Sequence, residues 1–259
     1  MASEHEQEYD AAFVELLESV WGEGFLSPGG PEEVARIVEG LDLRGATVVD
    51  IGCGTGGAVF LVAECHGAGH VVGIDISRSL IEEGRSRGRK RGLDARVSFR
   101  HVDPGPLPFG EGEFDVVFSK DSLIHIPDKL AISREILRVL KPDGVFAASD
   151  WLRGDGPITP QLQYYIDVEG LGFGMGNAQD YRTALVAAGF CDVRLTDRNA
   201  WYRGIAHEEH TALSGPLYAR LVERVGEEFT RHEIEVWRAL TVVLDSGELR
   251  PTHLRARKP

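Results

Sequence analysis

Val48-Val49-Asp50-Ile51-Gly52-Cys53-Gly54-Thr55-Gly56-Gly57 is a β-branched run that breaks into a glycine-rich turn where a helical pattern begins. Glycines at such a turn let backbone N–H groups approach a ligand with no Cβ in the way, and the helix start adds its own amides. Nineteen residues past Gly56, Val71-Val72-Gly73-Ile74-Asp75 ends a second apolar run in a carboxylate, the group that grips a ribose diol at a strand tip. The two segments together predict a nucleoside pocket.

Gly52, Gly54 and Gly57 also satisfy G-x-G-x-x-G, a pattern that by itself is a weak sign of dinucleotide binding. Asp50 separates the readings. A fixed anion directly before the turn repels a diphosphate and suits the cationic amino-acid end of S-adenosylmethionine.

The length of 259 residues suits one large α/β domain with a cap better than two independent domains. The formal charge of −13 disfavours nucleic acid, whose phosphates need a basic surface, and the basic stretch Arg85–Arg91 reads as a solvated helix face. No apolar run approaches the roughly 20 residues that span a bilayer, and Met1-Ala2-Ser3-Glu4-His5-Glu6 lacks the regions of a signal peptide. The expected partner is a small molecule, with no nucleic acid and no membrane, in the cytoplasm. Cys53, Cys65 and Cys191 are odd in number and far apart, which indicates free thiols rather than a disulfide framework or a zinc site.

Apolar periodicity predicts a helix over Tyr9–Val20, a Gly/Pro-rich loop over Gly22–Gly30 and a helix from Pro31. Strands are expected at Thr47–Ile51, Val71–Ile74, Arg96–His101, Asp115–Ser119, Val145–Ser149 and Asp192–Leu195, with helices after Gly56, Ser77, Asp128 and Asn177. This alternation predicts a doubly wound, mainly parallel α/β sheet with ligands at the carboxyl ends of its strands. Two segments break the rhythm. Arg153–Gly176, rich in Gly, Pro and aromatics, is expected as a small cap insertion. Ala206–Leu244 is helical by pattern and precedes a last strand over Thr252–Arg257. Residues 1–30 form an expected N-terminal helix and lid loop, and 31–259 the main domain.

Pro108-Phe109-Gly110-Glu111-Gly112-Glu113-Phe114-Asp115-Val116-Val117-Phe118 and Leu137-Arg138-Val139-Leu140-Lys141-Pro142-Asp143-Gly144-Val145 join the glycine turn in a set that resembles class I S-adenosylmethionine-dependent methyltransferases. The resemblance implies their Rossmann-like seven-stranded fold. Phe25-Leu26-Ser27-Pro28-Gly29-Gly30 and Ser119-Lys120-Asp121-Ser122-Leu123-Ile124-His125-Ile126 further resemble phosphoethanolamine N-methyltransferases, as does the position of Tyr9 upstream of that loop. It implies donor binding by Leu26, Ser27, Gly29, Asp50, Gly52, Gly54, Gly56, Asp75, Ile76, Asp103, Pro104 and Ser119, with Tyr9 closing over the substrate. In the same register Trp151 replaces a tyrosine, Tyr165 matches one, Glu169 replaces a phosphate-holding arginine and Leu171 a tyrosine. The arginine-to-glutamate change reverses the charge offered to the substrate's far end. Glu169-Gly170-Leu171-Gly172-Phe173, with Tyr181-Arg182 and Ala188-Gly189-Phe190, also resembles sarcosine and dimethylglycine N-methyltransferases.

Methyl transfer to an amine needs its lone pair, and for an amine of pKa near ~10, being neutral at pH 7 costs about 4 kcal/mol. His125 is the expected base. It lies four residues after Asp121, a spacing that on a helical turn lets the carboxylate orient the imidazole. Among Trp21, Trp151, Tyr164, Tyr165 and Trp201, Trp151 and Tyr165 are expected at the pocket mouth, with Glu169 selecting the substrate; aromatic faces hold a cation for about 0.5–2 kcal/mol each. His207 and His210 read as helix surface rather than metal ligands. The expected activity is methylation of the nitrogen of a small amine or amino acid. A same-donor enzyme attacking through oxygen, carbon or sulfur, a nicotinamide-dependent oxidoreductase and a non-catalytic nucleoside-binding module remain as alternatives.

Overall fold

The computed structural model describes residues 9–170 and 172–259. The first residues of the lid segment and the departure read at Leu171 therefore lie outside the described residues. β1 (Thr47–Ile51) runs parallel to β2 (His70–Asp75) on one side and β4 (Phe114–Lys120) on the other. β3 (Val97–His101) extends the sheet past β2, and β5 (Leu140–Arg153) past β4. β7 (Leu249–Arg257) lies antiparallel between β5 and β6 (Cys191–Asp197), giving the order β3-β2-β1-β4-β5-β7-β6. This is the doubly wound sheet expected from the sequence.

Alternate residues of the central strands enter two cores. Val48, Val116, Phe118 and Ala147 face α2 (Gly30–Ile37), α3 (Gly57–Glu64) and α4 (Arg78–Lys90). Val49, Val117, Phe146 and Ala148 face α5 (Lys129–Val139) and α7 (Ala178–Ala188). Burial on both faces is why these strands read as unbroken apolar runs rather than alternating ones. Strand order reverses between β1 and β4, so a crevice opens at their carboxyl ends, over Gly52 and Asp121.

A third core lies above that crevice. α1 (Ala11–Trp21), α6 (Pro160–Glu169), α8 (Asn199–Ser214), α9 (Tyr218–Val225) and α10 (Glu227–Ser246) gather around Leu17, Tyr165, Tyr202 and Trp237. The cap is thus a five-helix layer, and the insertion expected near 153–176 supplies only α6. The stretch expected as helical from Ala206 to Leu244 is divided at Gly215-Pro216 and at Gly226, which adopts φ +92° between α9 and α10. β5 outruns its expected span of Val145–Ser149 because β7 pairs with it through Arg153. Among the described residues, no helix is long and apolar enough to cross a membrane.

Candidate functional site

The turn after β1 is fastened to the tip of β2. Gly52 and Cys53 donate their amides to the Ile74 carbonyl at 2.9 and 3.0 Å, and Gly54 donates to Asp75 Oδ2 at 2.9 Å. Asp75 Oδ1 accepts from the Ser77 amide, also at 2.9 Å. Burial pushes the Asp75 acid up while these amides draw it back. Each carboxylate oxygen has a second lone pair, enough for a ribose hydroxyl.

Asp50 departs from its expected role as a fixed anion. Its side chain is 2 % exposed, and burial together with Asp75 pushes its pKa up to about 8 against the pull of Lys120. Its Oδ1 has no hydrogen-bond partner among the described residues. An unmatched buried acceptor costs about 1–3 kcal/mol, so a donor entering the crevice, such as the ammonium of S-adenosylmethionine, has a ready mate. The residues fit that group.

A diphosphate fits poorly, for a reason that Asp50 does not supply. The first amide of α3, on Gly57, donates at 3.0 Å to the carbonyl of Gly24 in the lid loop. A Cβ on Gly24 would stand 2.7 Å from the Gly57 Cα, so this approach requires glycine on both sides. Glu18 of α1 completes the cover. Its carboxylate accepts from the Gly24 amide at 3.0 Å, from Thr55 Oγ1 at 2.9 Å and from Arg87 Nη2 at 3.1 Å. The helix start that would seat a diphosphate is therefore held by a carbonyl with a carboxylate beside it.

The other expected donor residues divide. Leu26 lies directly over Gly54, and Ser27 Oγ accepts from Lys120 Nζ, so both bring the lid onto the turn. Ile76 is half-buried, its carbonyl 3.1 Å from His101 Nε2, and Asp103 and Pro104 stand exposed just past β3. Three of these residues also hold the scaffold together. A Cβ on Gly56 would meet Phe99 and Phe60, and one on Gly29 would meet Trp201 and Glu33, so packing admits only glycine at both positions. The fully buried Ser119 hydroxyl donates to the Ile51 carbonyl at 2.9 Å and lies 2.8 Å from Ser122 Oγ, which ties β4 to β1.

Under the cap, a cavity of about 670 Å³, including its opening to solvent, runs from Leu26, Ser27, Asp121 and His125 to Tyr9, Trp151, Tyr165, Glu169 and Glu233. Trp21 and Trp237 also face it, their ring centroids 5.6 Å apart. Both indoles donate to one carboxylate, Glu209, at 2.6 and 3.0 Å, which fixes how the rings face the cavity. Among the described residues no lysine or arginine lines this chamber. Burial pushes Glu169 up to about 7, and burial with Glu169 beside it pushes Glu233 up to about 8. Tyr164, by contrast, is exposed with its hydroxyl on Glu235, Trp201 packs at Gly29, and His207 bonds Asp245.

His125 ends a 3₁₀ turn, Leu123–His125, that buried groups hold in place. Asp150 Oδ1 accepts from the Ile124 amide at 3.0 Å, and the Tyr181 hydroxyl donates to Asp150 Oδ2. Lys129 Nζ donates to the carbonyls of Leu123 and Ile126 at 2.6 Å each. The expected orientation of His125 by Asp121 is not what forms. Asp121 has φ +58° and a side chain 1 % exposed, and it accepts from Lys120 Nζ at 2.9 Å and Ser149 Oγ at 2.7 Å. His125 Nδ1 instead lies 3.0 Å from the carbonyl of Gly172. A left-handed residue followed by a 3₁₀ turn removes the helical register that would have brought the two side chains together.

Residues 42–159 match the family described as a methyltransferase domain. The chain is 35 % identical over 203 residues to phosphoethanolamine N-methyltransferase 1 of Arabidopsis thaliana, an alignment that covers 78 % of this chain and 40 % of that protein. It thus spans about two fifths of the length of such relatives. Among solved structures, phosphoethanolamine N-methyltransferase 2 of Haemonchus contortus, in complex with phosphomonomethylethanolamine and S-adenosylhomocysteine, superposes with a TM-score of 0.90 at 23 % identity. That superposition covers 97 % of this chain and 59 % of the other. A candidate sarcosine dimethylglycine methyltransferase of Galdieria sulphuraria gives a TM-score of 0.81 at 22 % identity, covering 94 % and 96 %. At these identities the two structures bear on the fold of the methyltransferase domain and its cap alone.

Several residues of the site escaped sequence reasoning. Gly24 and Lys120 lie inside segments singled out there, and their chemistry was legible in principle. Arg87 lies in the basic stretch read as a solvated face, yet its side chain is 11 % exposed and turned onto Glu18; Glu18, Glu209, Trp237 and Glu233 come from helices with no motif of their own, and only the folded chain brings them to the crevice and the chamber.

Proposed function

We propose that the protein is an S-adenosylmethionine-dependent methyltransferase acting on the nitrogen of a small amine that carries no phosphate. The observation that carries this reading is the chamber at His125, walled by aromatic rings and the carboxyl groups of Asp121, Glu169 and Glu233, with no lysine or arginine on its described lining. When bound, the donor supplies an electrophilic methyl on a sulfonium. Asp50, Gly52, Gly54, Asp75 and Ile76, with Asp103 and Pro104 at the rim, hold its nucleoside and amino-acid ends. Leu26 and Ser27 cover it, and Tyr9 with the rest of residues 9–30 acts as the lid.

His125 takes the proton that must leave an ammonium before it reacts. The Gly172 carbonyl only accepts, so Nδ1 carries the hydrogen and the basic lone pair of the neutral ring belongs to Nε2. Asp121 positions Lys120, and through it Ser27 of the lid. Trp151 and Tyr165 offer ring faces to the acceptor's cation, and Glu169 stands where an anionic far end would need a positive partner. Three cysteines, all free, accord with the reducing cytoplasm as the place of action.

The test is transfer of a labelled methyl from S-adenosylmethionine to a panel of small amines, amino acids and phosphoethanolamine. N-methylated product from unphosphorylated amines is expected. Product from phosphoethanolamine alone, or label on oxygen or carbon only, would overturn the reading.

A further inference from the structure

Glu233 lies in the middle of α10 with 5 % of its surface exposed, and it lines the chamber with no hydrogen-bond partner among the described residues. Glu169, at the end of α6, lines the same wall and likewise has no hydrogen-bond partner among them. Two carboxyl groups, Glu233 buried and Glu169 half-buried, facing one cavity without a cation are costly as anions, and each is driven toward its neutral form until a positive group arrives. A cation is what the pair lacks.

That cation is unlike the nitrogen that reacts. A carboxylate beside the reacting nitrogen would stabilise its ammonium form and work against the loss of its proton. The pair is set back from His125 by two ring contacts: His125 to Phe173 at 5.7 Å between centroids, then Phe173 stacked on Tyr165 at 6.2 Å. Tyr165 stands one helical turn before Glu169 on α6. A molecule spanning this ladder presents one nitrogen to His125 and a second charge to the far wall. We infer that Glu169 and Glu233 form a cation subsite for a second, non-reacting ammonium of the acceptor, so that small diamines are the preferred substrate class. This rests on the amine-methylating reading above and adds the identity of the group at the acceptor's far end.

The test compares 1,4-diaminobutane, 1-aminobutane and 4-aminobutanoate as acceptors of the full chain, by release of S-adenosylhomocysteine. The expected kcat/KM favours the diamine over the monoamine by about tenfold or more, a difference of about 1.4 kcal/mol, and over the amino acid by more. Glu233→Gln, an isosteric change that removes a costly buried charge, brings the diamine and monoamine rates together, and Glu169→Gln acts in the same direction. Calorimetric binding of 1,4-diaminobutane to protein saturated with S-adenosylhomocysteine supplies a readout that needs no turnover. Diamine binding that Glu233→Gln abolishes, without methylation of any amine, supports the subsite and sinks the amine-methylating reading. Methylation of amines with no diamine preference, or a preference that both variants retain, overturns the subsite and leaves that reading intact. Neither binding nor methylation overturns both.

Discussion

On the proposed reading, the carbonyl of Gly172 sets which nitrogen of His125 acts as base, because it places the hydrogen on Nδ1 and the basic lone pair on Nε2. His125→Ala is expected to lower kcat by about 10²–10⁴ while the Kd for S-adenosylhomocysteine stays within about threefold, as single-turnover rates and calorimetry would report. Equal losses in both would make it a binding residue instead. The sequence expected His125 at the site through its motif and paired the imidazole with Asp121. That spacing argument assumes a continuous helix, and the left-handed backbone at Asp121 breaks the assumption. The Gly172 partner comes from a cap segment 47 residues away, where no local pattern could announce it.

Helix α1 and the loop after it touch the donor crevice through Glu18, whose side chain is 17 % exposed and paired with an Arg87 that is 11 % exposed. Thr55, Gly24 and Arg87 all donate to that one carboxylate, which ties α1, the glycine turn and α4 together. Glu18→Gln keeps the shape and removes the charge. Hydrogen bonds to a charged group contribute about 1.5–3 kcal/mol, so a roughly tenfold loss of S-adenosylhomocysteine affinity is expected, measured by calorimetry, with a much smaller change in Tm. Undiminished affinity would mean that the lid bears no load in donor binding. The strands on either side of β1 were legible because burial on both faces writes itself as uninterrupted Val and Ile. The cap was not, since α8, α9 and α10 bury only one face each against helices distant in sequence, and the pattern of any one says nothing of its partner.

Across the whole molecule, two opposed sets of carboxyl groups govern the response to pH. Burial alone would raise Glu33, but its bonds from His253 and Arg198 more than offset that and hold it down to about 2. The stability it contributes is present above the ordinary value of 4.5 and is lost as pH falls toward 2. Burial holds Asp50 and Glu233 up to about 8 and Glu169 and Asp150 up to about 7, so the stability from their neutral forms is full below the ordinary values of 3.8 and 4.5 and is lost as pH rises from there to those raised values. Without ligand, the urea midpoint is therefore expected to peak near about pH 4 and fall on both sides. A midpoint rising steadily to pH 8 would contradict this. The account as a whole depends on the crevice taking a sulfonium nucleoside in preference to a dinucleotide. Calorimetric titration of the unliganded chain with S-adenosylhomocysteine and, separately, with NAD tests it most directly. One site of about micromolar affinity for the first and no heat of binding for the second is predicted; saturable binding of NAD with none of S-adenosylhomocysteine would contradict it.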